Sequence, residues 1–157
     1  MEAQQGFVPL IEALAEHNGV RDRVHVEVAF IGGTWTSGSR VGVLSDDQRW
    51  SASSRGGPDR PANVSVPQLM AAHKIDHIGL VKMDIEGGEF AVLATGEDLL
   101  WLDRVRQIAL EVHPAFGDAP TLIERLREKV FSVDLRDNDG RPSAGTSPHL
   151  AFAYCSR

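Results

Sequence analysis

The residues best placed for chemistry are Lys82, Asp84 and Glu86, followed about twenty-five residues later by Glu111 and His113. The first three lie in the run Val81-Lys82-Met83-Asp84-Ile85-Glu86-Gly87-Gly88-Glu89, the others in Leu110-Glu111-Val112-His113. Residues at alternating positions share one face while the chain is extended. Each run therefore delivers charged side chains to the C-terminal end of a short apolar strand. In an open α/β sheet the ligand crevice lies at that end. Two acids crowded at a strand tip cost electrostatic energy unless something uses them. Gly87-Gly88 allows a tight turn and close approach of a ligand to the backbone. Glu89 falls in the first turn of the next helix, where an anion is favoured. Two chemistries fit. Asp84, Glu86, Glu111 and His113 offer oxygen and imidazole donors to a divalent metal. The same groups could bind hydroxyls and amines, with an acid or the His as base. Spacing does not choose between them.

The elements that must position these residues follow from pattern. Phe7, Leu10, Ile11 and Leu14 make one apolar face of a helix over 7–17, which Asn18-Gly19 stops. Arg23 to Ile31 alternates with period two and reads as a strand ended by Gly32-Gly33. Val41 to Leu44 reads as a short strand, Asp46-Asp47 as a turn and Trp50 as the start of a return strand. The stretch 51–63 is rich in Ser, Gly, Pro and Arg and reads as exposed loop. A short helix is expected near 67–73, a strand over 78–84, and a helix from Gly88 to Ala94 with Phe90 and Leu93 inward. Gly96-Glu97-Asp98 interrupts that helix. Arg106 to Val112 reads as a buried central strand. Pro120 opens a helix with Leu122, Ile123, Leu126 and Val130 on one face. The strands at 131–135 and 149–154 have only a turn and loop between them, so they are expected to pair antiparallel.

Size and composition bound the rest. The 157 residues suit one α/β domain, taken as 1–157. The formal net charge of -6 has no basic stripe within it, which argues against a nucleic-acid partner. The one cysteine, Cys155, cannot form an internal disulfide or a zinc–thiolate cluster. No apolar stretch is long enough to span a membrane, and the N-terminus has no signal-peptide pattern. A cytoplasmic location is the expectation.

The run Leu80 to Glu89, then Val92-Leu93, then Ile108-Ala109-Leu110-Glu111-Val112-His113, resembles the FkbM-type methyltransferases. Leu14 to Val28 and Val64 to Met70 also resemble stretches of that family, so the likeness covers roughly residues 7 to 155. It implies a Rossmann-like class I methyltransferase sheet with an antiparallel last strand. The implied strand order is third, second, first, fourth, fifth, seventh, sixth. It implies S-adenosylmethionine as cofactor and methyl transfer to a hydroxyl of a sugar, polyketide or other small metabolite. By the same resemblance Lys82, Asp84, Glu86, Glu111 and His113 line the reaction crevice, with Asp84 and Gly87 on the cofactor side and no metal.

The family's first two strands, which carry the principal cofactor seat, have no counterpart in this chain, so the sheet is expected to be truncated at its N-terminal side. Strand three must then close on strand four, pack elsewhere, or leave an edge for a second copy or a partner chain. The alternatives to an enzyme are a catalytically inactive remnant acting as a partner subunit and, with less support, a metal-dependent hydrolase.

Overall fold

A computed structural model describes residues 1–2, 5–32, 42–43, 52–53, 62–93 and 99–157. The expectations for Gly33, Val41, Leu44, Asp46-Asp47, Trp50, Ala94 and Gly96-Glu97-Asp98 lie outside the described residues. The chain divides into two compact units, Met1–Ile31 with Thr36–Val64, and Gly32–Trp35 with Ser65–Arg157.

The first unit begins with a helical turn, Gln5–Phe7, that leads into α1, Val8–His17. Asn18 caps its C-terminus, and the Asn18 side-chain amide donates to the Leu14 carbonyl at 2.7 Å. Gly19 follows at φ +63°, the left-handed conformation that glycine adopts without a Cβ penalty. The apolar face is only partly covered: Leu10 and Leu14 are exposed and Ala15 is buried. The alternating run after Arg23 yields a shorter strand than its pattern predicts. Arg21–Arg23 is a helical turn, and only Ala29–Ile31 forms β1. A strand exists where its ladder has a partner. β1 pairs in parallel with β4, Ala62–Val64, from Ala29 opposite Ala62 to Ile31 opposite Val64. Val28 makes a single bridge to Glu2. β2, Gly42–Val43, and β3, Ala52–Ser53, form an antiparallel pair. β2 lies within the short strand expected over 41–44, and β3 is its return strand. β3 and β4 also correct the expectation of loop throughout 51–63.

The second unit holds a four-stranded sheet. Its strands are β5, Ile78–Met83; β6, Val105–Glu111; β7, Ser132–Asp137; and β8, Leu150–Ser156. The order is β5-β6-β8-β7. β5 and β6 are parallel, and β8 runs antiparallel to both its neighbours. This is an open α/β sheet of mixed direction, and its order is the one the resemblance implies for the last four strands. Among the described residues no strand pairs with the other edge of β5.

The helices start where their caps predict. Ser65 and Gln68 form a reciprocal capping box at the start of α2, Val66–Ala72. Asp118 accepts from the Thr121 N–H at the start of α4, Ala119–Glu128. Leu122, Ile123 and Leu126 of α4 are buried against the sheet core, as their spacing predicts. Val130 is not: it lies beyond the helix end at φ +65° and is 80% exposed. The core around β6 contains Val105, Ile108, Leu110 and Val112, with Trp101 and Leu102 from the helical turn Leu100–Arg104. Among the described residues no helix is long and apolar enough to cross a membrane.

Candidate active site

The site is built on the parallel pairing of β5 and β6. Met83 lies opposite Leu110 in that ladder. The next residues along, Asp84 and Glu111, therefore leave adjacent strands side by side. Parallel strands place both tips at the same end of the sheet. Asp84 stands close enough to Glu111 for its charge and a hydrogen bond to act on the Glu111 carboxyl. Burial raises the Glu111 carboxyl above the ordinary carboxylate range. The charge of Asp84 and the bond between the two carboxyls add to this, against the opposing pull of His113 and Lys82. Lys82, on the exposed side of β5, donates from Nζ to Asp84 Oδ2 at 3.0 Å.

Glu86 reaches the site by a different route from the one its alternation with Lys82 and Asp84 predicts. The strand ends at Met83, and a turn follows in which Glu86 has φ +50° and Gly87 φ +92°. A non-glycine residue in that region is strained and persists only where its surroundings enforce it. The turn brings Glu86 Oε2 to 3.6 Å from His113 Nε2. Glu111 Oε1 lies 3.9 Å from the same nitrogen. Asp84, Glu86 and His113 each offer a donor atom within 4.8 Å of the others, close enough to share a divalent cation. Lys82 already supplies one positive charge there.

The helix after the turn, α3, spans only Glu89–Val92. Its inward residues are Glu89, Val92 and Leu93, while Phe90 is half-buried. This corrects the expected pairing of Phe90 with Leu93. Glu89 does lie in the first turn of this helix, as expected, but its side chain makes no cap hydrogen bond. Glu89 turns inward, where its Oε1 accepts the His113 backbone N–H at 2.8 Å and lies 3.1 Å from His113 Nδ1. A sequence signal for this existed only in part, because a helix of four residues leaves its first side chain free to point at the neighbouring strand.

One further residue escaped the sequence reading. Phe116, in the helical turn Pro114–Phe116, stands edge-on to His113 with ring centroids 6.2 Å apart and is largely exposed. That turn folds directly over Gly87: a Cβ on Gly87 would lie 2.7 Å from the Phe116 Cβ. The site thus has a charged floor from two strand tips and an aromatic rim. It is separate from a cavity of about 500 Å³ lined by Met70, Lys74, Ile75, Trp101 and Arg104, which sits where β5 and β6 begin.

Residues 2–134 match the model of the methyltransferase FkbM domain. The chain belongs to the FkbM methyltransferase family. Over 70 residues it is 39% identical to the 31-O-demethyl-FK506 methyltransferase FkbM of Streptomyces tacrolimicus. That match covers 45% of this chain and 26% of the relative, so the chain aligns with about a quarter of the relative's length. No solved structure is significantly similar to it. All five residues singled out for chemistry fall inside the FkbM-domain match.

Proposed function

We propose that this FkbM-family chain contributes the acceptor side of an S-adenosylmethionine-dependent O-methyltransferase, acting on a hydroxyl of a small metabolite or sugar. The observation that carries this reading is the meeting of Asp84, Glu86, Glu111 and His113 at two adjacent parallel strand tips. Methyl transfer needs the acceptor oxygen held in line with the sulfonium carbon and a group to take the acceptor proton. Lys82, Asp84 and Glu86 orient the acceptor in this account, and Glu111 and His113 supply proton-accepting atoms. Asp84 and Gly87 face the cofactor, whose sulfonium supplies the methyl group. A cationic sulfonium suits a cluster with more acids than bases. The name of the Streptomyces relative, a 31-O-demethyl-FK506 methyltransferase, supports a hydroxyl acceptor.

A second reading has its own observation. The outer edge of β5 has no strand partner among the described residues, and Leu80 on that strand is 59% exposed. An edge of this kind recruits another strand. On that reading the chain is a partner subunit whose edge is covered by a second copy or another polypeptide.

Isothermal calorimetry with S-adenosylmethionine separates the two. The enzyme reading expects one-to-one binding by the folded chain, weakened about tenfold in Asp84→Asn, the scale of one charge-assisted hydrogen bond. A folded chain that produces no binding heat would overturn the enzyme reading for this chain and favour the partner-subunit one.

A further inference from the structure

Glu89 occupies an unusual place. The first residue of a helix is where a carboxylate is normally held by solvent and the helix dipole. Here the side chain is 0% exposed. One oxygen, Oε1, accepts the His113 backbone N–H and lies 3.1 Å from His113 Nδ1. The other, Oε2, is buried with no hydrogen-bond partner among the described residues. A buried carboxylate oxygen left unpaired carries the full desolvation penalty of that group. A side chain needed only to close the strand tip could be neutral and avoid that cost. The fold instead keeps a group whose oxygen can accept a proton-bearing nitrogen but, as a carboxylate, cannot donate to one.

The consequence falls on the imidazole. A carboxylate oxygen against Nδ1 can only accept, which favours the ring proton on that nitrogen and leaves Nε2 of the neutral ring with its lone pair. The groups facing Nε2 are Glu86 at 3.6 Å and Glu111 at 3.9 Å, both too distant for a hydrogen bond. Lys82 is bonded to Asp84. Nε2 is therefore the ring atom open to the acceptor side.

We propose that Glu89 is a positioning residue that holds His113 as its Nδ1–H tautomer, so that Nε2 takes the acceptor proton. The inference rests on the methyl-transfer reading for the identity of what gives up the proton. As the acceptor oxygen forms its bond to the methyl carbon, the carbon–sulfur bond breaks and sulfur keeps that electron pair. The sulfonium becomes a neutral thioether, and the hydroxyl proton passes to Nε2. The resulting imidazolium is stabilised by the Glu89 carboxylate, as in other sites where a buried acid orients a catalytic histidine.

The test is long-range nitrogen–proton correlation NMR on the full ¹⁵N-labelled chain, with the His113 signals identified by their loss in His113→Gln. At a pH where the ring is neutral, the expected result is a protonated Nδ1 and an unprotonated Nε2. Glu89→Gln keeps the size of the side chain but can also donate, which frees the ring to adopt the other tautomer. It should move the tautomer ratio toward Nε2–H by about tenfold, the factor that the loss of a charge-assisted hydrogen bond predicts. A wild-type ring protonated on Nε2 overturns the proposal, as does a folded Glu89→Gln chain with an unchanged ratio. If that variant does not fold, the wild-type spectrum alone decides. An Nδ1–H ring in a chain that transfers no methyl group would count against the methyl-transfer reading and leave the positioning role standing.

Discussion

Where β5 and β6 end, burial and then the charge of the neighbouring Asp84 make Glu111 hold its proton more tightly than an ordinary glutamate. This has a consequence for stability. Between the ordinary value of 4.5 and the raised value in the fold, the native chain binds more protons than the unfolded one. Stability then falls as pH rises through that window. The Glu111 contribution is fully present below the unfolded value and is lost above the folded one. Glu111→Gln removes it. Urea unfolding of both chains from about pH 4 to about pH 8 should show the variant gaining on the wild type as pH rises. Parallel profiles would contradict the raised value. At this scale the meeting of Asp84, Glu111 and His113 was legible, because apolar runs announce the strand ends beside them. The route of Glu86 was not, because it arrives through a turn with φ +50° beyond the end of β5. The role of Glu89 was not legible, because burial depends on which way a four-residue helix turns its first side chain.

At the scale of elements, the turn between β5 and α3 does the positioning. Gly87 combines φ +92° with a Phe116 Cβ in the space its own Cβ would need. Gly140 has a similar φ of +76°, but nothing lies within 4 Å of the Cβ it lacks. The two glycines therefore separate backbone strain from steric overlap. Gly140→Ala should cost about 1 kcal/mol through strain alone, and Gly87→Ala should exceed it by a further ~1–3 kcal/mol. Equal losses in urea unfolding would show that Pro114–Phe116 does not press on the turn. Capped, strongly patterned helices such as α2 and α4 matched their sequence signals to within one or two residues. The Val24–Val28 alternation did not give a strand along its whole length. Period two describes which face a side chain takes, whereas a strand also needs a neighbour, and β4 offers only three paired residues.

At the scale of the molecule, the order β5-β6-β8-β7 with an antiparallel β8 accounts for why the site forms at all. It puts β6 between β5 and β8, so Glu111 and His113 leave a buried strand next to Asp84. The last two strands were readable as an antiparallel pair because only a turn and loop separate them. The pairing of β1 with β4 was not, because β4 lies in a stretch whose composition reads as loop. The family match spans both units, yet the aligned segment is about a quarter of the Streptomyces relative, so catalysis by this chain rests on direct measurement. The decisive one is transfer of a labelled methyl group from S-adenosylmethionine to a panel of hydroxylated sugars and polyketides. The expected result is acceptor-dependent ether formation with one S-adenosylhomocysteine released per methyl. His113→Gln should lose about 10²–10⁴-fold of this transfer, the scale of one general base. A folded chain that binds the cofactor but methylates no hydroxyl, or one whose transfer is unchanged in His113→Gln, would contradict this mechanism.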